Sequence, residues 1–447
     1  MSGALARMRY SLLLVEDDVL IRHSITSFLT RKGYGVVDAG TCAEAERAFS
    51  TGRPDLALLD YELPDGNALR LLPGLRDSDV PVVILSGNAS VERAVLAIKE
   101  GAEHFLTKPV ELSALLSMIQ RTLENQRNRH KQLVAQTGGQ REAPDPFIGT
   151  SAAIRALRMD AMRVADADSA VLVTGETGSG KGVLARWLHD HGPRATEAFV
   201  DLNCAGLAKD LLESDLFGHE RGAFTGAASA KQGLLEIAHR GTVFLDEIGD
   251  VDAQVQPRLL KVLEERRFRR LGDVRDRMVD IRLIAATHHD LGQLAREKRF
   301  REDLYFRIST LPLRVPPLRE RLEDLPELSA RLLDRLDGVR GRARLSEAAL
   351  QRLRTYPWPG NIRELRNVLE RAVILSQSEV LGPEDLRFDT QIVADDSDLS
   401  LEAAERRHIE RVVKRAGSVA AAAHILRIPK STLYYKLKKN RIALPTA

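Results

Sequence analysis

Two apolar runs, each ending in groups suited to phosphate chemistry, constrain this chain more than any other feature. The first, "AVLVTGETGSGKG", is strand-like and leads into Gly175, Glu176, Thr177, Gly178, Ser179, Gly180 and Lys181 in the pattern GxxxxGK, then Gly182 and the helical "VLARWLHD". Glycines let successive backbone amides point inward around phosphates, Lys181 has the reach for the β and γ phosphates, and the helix start adds a favourable dipole. The second run, "GTVFLDEIGD", delivers Asp246 and Glu247 about 65 residues later. An acid at such a strand end holds Mg2+ and a second carboxylate polarises the attacking water, roles that suit Asp246 and Glu247 respectively. Either motif alone also occurs in turns without catalytic purpose. The two in order, at domain-scale spacing, imply an α/β domain that binds and hydrolyses ATP. Because Gly182 follows Lys181, no hydroxyl stands there for Mg2+.

A chain of 447 residues has room for about two to four domains. Two breaks divide it. The polar "NQRNRHKQLVAQTGGQREAPDP", with Gly-Gly and two prolines, marks a linker over 125–146, and the acidic "GPEDLRFDTQIVADDSDLS" marks another over 381–399. The expected units are therefore 9–124, 147–380 and 400–447. The net charge of +3 hides an asymmetry, since the last unit carries eleven Lys or Arg against three Glu from Leu401 onward. No apolar run approaches the roughly 20 residues of a membrane span, so a cytoplasmic protein without membrane contact is expected. Cys42 and Cys204, without a metal-ligand pattern, are expected to be buried reduced thiols.

The first unit alternates short apolar runs with helical patterns. "YSLLLV", "PDLALLD", "PVVILSG" and "HFLTKP" look like buried strands of a doubly wound parallel sheet, in which ligands sit at the carboxyl ends of the strands. Those ends carry Glu16, Asp17 and Asp18, then Asp60, then Lys108. Clustered carboxylates suit a hard cation such as Mg2+, and an ammonium can neutralise an added phosphoryl group. In content and spacing the unit resembles a CheY-like two-component receiver domain. The resemblance implies that Asp60 accepts a phosphoryl group from a cognate histidine kinase, that Glu16 and Asp17 help Asp60 hold Mg2+, that Lys108 pairs with the phosphoryl group, and that Ser86 with Phe105 forms the switch. The family more often has Asp at the position of Glu16 and Thr at that of Ser86.

The second unit continues with "LNCAGL", "ESDLFGHERGAFTGA", "FREDLYFR" and "WPGNIRELRN". Within "HERGAFTGA" two glycine-alanine pairs bracket Phe224 and Thr225, a bulky ring on a segment free to turn. Together these motifs, from about Phe147 to Gln377, resemble the AAA+ domain with helical lid of the NtrC family, the bacterial enhancer-binding proteins that activate sigma-54 RNA polymerase. The resemblance implies that Asn203 couples Glu247 to the moving loop, that His288 stands at the sensor I position, that Arg301 and Arg307 are fingers acting on a neighbouring subunit, and that Arg363 is sensor II. It also implies that Gly222, Ala223, Phe224, Thr225, Gly226 and Ala227 grip sigma-54. The family commonly has Asn where His288 lies and Glu where Gly182 lies.

The last unit is all-α. "LSLEAAERRHIERVVKRAG", "SVAAAAHIL" and "KSTLYYKLKKN" have helical spacing, with "RIP" breaking the second from the third. A tight turn before a short basic helix is the layout of a helix-turn-helix, and the unit resembles the Fis-type domain of the same family. Lys430, Ser431, Thr432, Tyr434, Tyr435 and Lys436 are its candidate DNA contacts. The expectation is a response regulator; the resemblance implies an inactive dimer that becomes a hexameric ring bound to enhancer DNA. Two other classes share many of these features, a DNA-binding regulator of ordinary polymerase and an ATP-dependent remodeller whose tail binds protein or RNA. The intact GAFTGA string counts against the first and a sequence-specific, salt-dependent DNA footprint would count against the second.

Overall fold

The computed structural model describes residues 10–87, 91–137, 145–206, 209–224, 227–336, 343–376, 378–388, 401–416 and 418–439. The chain forms two compact units, Met1–Leu386 and Arg387–Ala447. The first begins with strands β1 (Ser11–Val15), β2 (Gly35–Ala39), β3 (Leu56–Asp60), β4 (Val82–Ser86) and β5 (His104–Thr107), all parallel in the order β2-β1-β3-β4-β5. Helices cover both faces, so β3 and β4 are buried at every position and read as continuous apolar runs. Asp18 caps the helix Val19–Arg31 by accepting the amides of Leu20 and Ile21, which takes it out of the candidate cation ligands.

The helix Leu112–Thr137 runs twelve residues past the expected start of the linker. Leu115, Ile119 and Leu123 fill its inner face up to that point. Beyond it the inner positions are Gln126, which donates to the Asp79 carbonyl at 2.6 Å, and His130, 2.7 Å from the Asp79 carboxylate. Polar groups replace apolar ones on one continuous face, so the hydrophobic period stops although the helix does not. Residues 138–144 of the expected linker lie outside the described residues, as does most of the second.

A second parallel sheet follows, with β6 (Val171–Thr174), β7 (Phe199–Asn203), β8 (Thr242–Asp246), β9 (Arg282–Thr287) and β10 (Leu311–Arg314) in the order β10-β6-β9-β8-β7. One side buries Leu202, Leu216, Phe217, Leu245 and Leu304, the other Phe147, Ile154, Leu184, Phe199 and Phe244. The central position of β6, β9 and β8 brings three strand ends, and the turns after them, to one place. Between the helices Lys209–Phe217 and Leu234–Ile237 the chain makes the loop that holds "HERGAFTGA". Its base is tied down by His219, which bridges to Lys231 and to Leu271 of a hairpin closed by Arg267–Phe268 and Arg277–Met278.

Helices Leu325–Leu336, Glu347–Arg354 and Asn361–Leu375 form a lid over the sheet's carboxyl end. Trp358 is fully buried there, donates its indole N–H to the Leu353 carbonyl at 2.9 Å, and holds a left-handed φ of 54°. The second unit packs Leu401–Ala416, Val419–Leu426 and Lys430–Lys439 around Ile409, Val413, Ala422, Ala423, Leu433 and Leu437. Ser418 caps the middle helix, and Arg427 at φ 51° makes the turn into the last. Both cysteines are buried free thiols.

Trp358→Ala is expected to destabilise the module built on the second sheet by about 3–5 kcal/mol, the usual cost of removing a buried indole. Thermal unfolding of the full chain checks this, and an unchanged transition would contradict the assigned packing.

Candidate functional site

The GxxxxGK loop is shaped by its glycines and by the lid. Gly178 has φ 77°, and a Cβ there would lie 2.3 Å from the Gly360 carbonyl oxygen. The position can hold nothing larger. The Gly178 carbonyl accepts the amide of Ile362 at 3.0 Å, so the start of the helix Asn361–Leu375 rests on the loop. Asn361 donates to Glu176 and to the Thr177 carbonyl, both at 3.1 Å, and Arg319 holds Glu176 at 2.5 and 2.7 Å. These bonds, Arg319 first, keep the Glu176 carboxyl below its ordinary pKa. Gly180, at φ 107°, then starts the helix Lys181–Asp190. A Cβ on Gly182 would make only ordinary contact with Phe244, so the fold does not demand glycine there.

Lys181 is 5% exposed and donates to the Gly175 carbonyl at 3.0 Å and to Glu247 Oε1 at 3.3 Å. Glu247, at φ 53°, presents its other oxygen to His288. Oε2 accepts from the His288 amide at 3.1 Å and lies 2.7 Å from its Nδ1. Burial works against the Glu247 charge, but the His288 bonds and the Lys181 ammonium outweigh it and hold its pKa below the ordinary value. Burial and the neighbouring Glu247 push Asp246 the other way. The two adjacent acids are thus set apart, one poised as an ionised base and one that gains from a cation. Asn203 lines the same wall, but its Oδ1 accepts the Ala205 amide at 2.8 Å, and Glu247 is held by His288 instead.

These groups line a pocket of about 730 Å³. Ile148, Leu157, Val315, Leu328 and Ile362 make an apolar part that suits a purine, while Thr177, Ser179, Lys181, Asp246, Glu247, His288 and Arg363 make a polar part that suits phosphates. The Ser179 hydroxyl is buried without a hydrogen-bond partner among the described residues, a donor that a phosphate oxygen could satisfy. Arg301 and Arg307 are exposed, as is Phe306 beside Arg307. Arg301 pairs with Asp303, Arg307 donates to the Leu263 carbonyl, and neither lines this pocket.

In the first sheet, Glu16, Asp17 and Asp60 offer oxygens within 4.8 Å of one another, a donor set that fits a hard cation. Lys108 lies 2.6 Å from Glu16 and 2.7 Å from Asp60. Burial raises the Glu16 pKa despite that ammonium, and Lys108, although desolvated, is raised by its bonds to the two acids. Ser86 is buried at the end of β4, and Phe105 is half-buried, edge-on to Tyr61 at 6.5 Å.

The Gly222 amide donates to the Ala227 carbonyl at 2.9 Å, Ala227 is buried, and the Phe224 ring stands edge-on to His219 at 5.0 Å and is 37% exposed. Thr225 and Gly226 lie outside the described residues. In the C-terminal unit Lys430, Ser431, Tyr434 and Tyr435 are exposed and Thr432 is half-buried. Lys436 instead pairs with Glu405 of the helix Leu401–Ala416. Lys438, one turn beyond Tyr434 on the exposed face, joins the candidates; its helical spacing was the available signal. Arg319 and Asn361, which brace the phosphate loop, carried no local signal of that role.

Four family models match the chain: the sigma-54 interaction domain over 147–314, the response regulator receiver domain over 12–120, the AAA+ ATPase lid domain over 319–401, and the Fis family of bacterial regulatory proteins over 400–439. The chain is 40% identical over 437 residues to the alginate biosynthesis transcriptional regulatory protein AlgB of Pseudomonas aeruginosa, covering 96% of this chain and 97% of that protein. It is 36% identical over 441 residues to the DNA-binding transcriptional regulator NtrC of Azospirillum brasilense, covering 96% and 89%. The crystal structure of NtrX from Brucella abortus in complex with ADP is similar over 97% of this chain and 100% of that one, at 32% identity and a TM-score of 0.51.

If His288 fixes the Glu247 carboxylate, His288→Ala should lower kcat for ATP about 10–100-fold, the value of a hydrogen bond to a charged group, with little change in KM. His288→Asn should recover most of the rate, because an amide nitrogen on Cγ occupies the place of Nδ1. Steady-state kinetics check both, and equal loss in the two variants would contradict the role.

Proposed function

The chain belongs to the NtrC-type family of sigma-54-dependent response regulators, phosphorylation-responsive activators of transcription with a nucleotide-binding AAA+ ATPase, and from that premise we propose how its residues divide the work. Asp60 is the phospho-acceptor. Its carboxylate oxygen attacks the phosphorus of a kinase phosphohistidine, the O–P bond forming as the P–N bond breaks and the imidazole leaves. Lys108 then shifts its ammonium from the carboxylates to the phosphoryl oxygens, and Ser86 with Phe105 registers the change. Mg2+ bound by Glu16, Asp17 and Asp60 in the receiver, and by Asp246 in the ATPase, would neutralise phosphoryl charge.

In the ATPase the phosphate loop and Lys181 hold the triphosphate. Glu247 takes a proton from water as the water oxygen bonds to the γ phosphorus and the bond to the bridging oxygen breaks. Arg363 meets charge from the lid, and Arg301 and Arg307 complete the pocket of a neighbouring subunit in a ring, an inactive dimer giving way to a hexamer. The exposed position of both arginines, away from their own pocket, supports that reading. Residues Gly222–Ala227 contact sigma-54. Lys430, Ser431, Tyr434, Tyr435 and Lys438 anchor the ring to enhancer DNA, raising its local concentration at the promoter. Among the described residues no helix is long and apolar enough to cross a membrane, and we place the protein in the cytoplasm.

The observation that carries the reading is one carboxylate, Glu247, bonded both to the phosphate-loop ammonium and to the strand-end His288. A reconstitution with sigma-54 polymerase, ATP and acetyl phosphate tests it, scored for promoter opening and ATP turnover. Asp60→Asn should abolish dependence on the phosphodonor. Thr225→Ala should turn over ATP at near the parent rate while promoter opening falls at least tenfold. ATP turnover without opening of any sigma-54 promoter would overturn the reading.

A further inference from the structure

The segment Leu318–Asp324 lies between β10 and the first lid helix and makes two short 3-10 turns, Leu318–Glu320 and Leu322–Asp324. Its far end holds the purine side of the nucleotide pocket. Asp324 is 1% exposed, and its Oδ1 accepts the amides of Thr150 at 2.7 Å and Ser151 at 2.8 Å while Oδ2 accepts the Ser151 hydroxyl at 2.7 Å. The carboxylate lies so close that a Cβ on Gly149, at φ 122°, would stand 2.1 Å from its Cγ. The turn fixed in this way follows directly on Ile148 of the apolar wall.

The same segment reaches the phosphate loop. Arg321, 2% exposed, donates from Nη2 to the Ser179 carbonyl at 3.2 Å. Ser179 lines the pocket and Arg321 does not, so the guanidinium stands behind the loop. Its Nε and Nη1 have no hydrogen-bond partner among the described residues, and both Asp324 oxygens are taken by the turn at Thr150 and Ser151. A desolvated guanidinium with one carbonyl partner is costly, and negative charge arriving across Ser179 lowers that cost.

We propose that Arg321 and Asp324 are positioning residues for the nucleotide, Asp324 fixing the purine-side turn and Arg321 fixing the phosphate loop while lending it positive charge from behind. Neither lines the pocket, so each acts through the backbone it holds. One short segment thereby sets the spacing between the two halves of the site, and Gly149, pressed against Asp324, leaves that spacing little freedom. The proposal rests on the reading of this pocket as the ATP site. It also divides the labour by ligand chemistry: Asp324 serves only a ligand that carries a base, and Arg321 serves any ligand that carries the phosphates.

The test uses the full chain with Mg2+ and two probes, ATP as substrate and tripolyphosphate, which has the phosphates without the base, as competitive inhibitor. Asp324→Asn keeps the side chain's shape but offers one accepting oxygen in place of two, and should raise KM for ATP about fivefold without weakening inhibition by tripolyphosphate. Arg321→Met should weaken both probes about tenfold, the value of a lost hydrogen bond from a charged group, and Arg321→Lys should recover most of each. Because Arg321→Met removes a desolvated charge, it should unfold no lower than the parent without nucleotide, while saturating ATP raises its transition by less. An unchanged KM or equal weakening of both probes in Asp324→Asn, parent-like binding in Arg321→Met, a Lys variant no better than Met, or a lower nucleotide-free transition in Arg321→Met would each overturn the proposal. Parent protein that neither binds nor hydrolyses ATP would instead overturn the reading of the pocket.

Discussion

A buried ammonium must have anionic or carbonyl partners, and this requirement organises the ATPase module. Lys181 is almost completely shielded from water, so an isolated charge there would be prohibitively costly. It is satisfied by the Gly175 carbonyl and by Glu247. A phosphate that enters the loop must therefore take Lys181 from the carboxylate. The same event frees Glu247 Oε1, the oxygen able to accept a proton, while His288 retains Oε2. Binding and activation of the base follow from a single exchange of partners.

The surrounding elements serve that exchange. Gly178 leaves no room for a side chain beside the lid, so the first turn of Asn361–Leu375 sits directly on the phosphate loop and brings Arg363 to the pocket wall. Asn361 and Arg319 hold Glu176 on the loop's outer side. Glu247 adopts a left-handed backbone conformation at the end of β8, which costs a non-glycine residue of order 1–3 kcal/mol and is held by bonds on both carboxylate oxygens.

Much of this was legible in the chain because it is local. The phosphate loop, the "FLDE" strand end and the receiver's Glu16, Asp60 and Lys108 each lie at the end of an apolar run, and strand order brings them together as expected. Pairings between remote segments were not legible. Asn203 is expected to couple Glu247 to the moving loop; here its Oδ1 accepts the Ala205 amide, while Glu247 meets the amide and Nδ1 of His288, a pairing across 41 residues that nothing local announces. Lys436 lies on the helix expected to read DNA, but Glu405 lies opposite it across the bundle. The helix beyond Asn125 escaped notice because Gln126 and His130 bury polar groups where the period calls for apolar ones. Arg277 has a near partner in Asp273, four residues before it, but its bonds to residues 77 and 220 carry no local signal.

The central claim, that Lys181 is shared in turn by Glu247 and phosphate, has a direct consequence for binding. Glu247→Gln keeps the side chain's shape and removes its charge, which weakens its hold on Lys181 and removes a repulsion toward the γ phosphate. Calorimetric titration of ATP into the parent and this variant, under conditions that prevent turnover, reads the effect. The variant should bind ATP several-fold more tightly. Equal or weaker binding would contradict it.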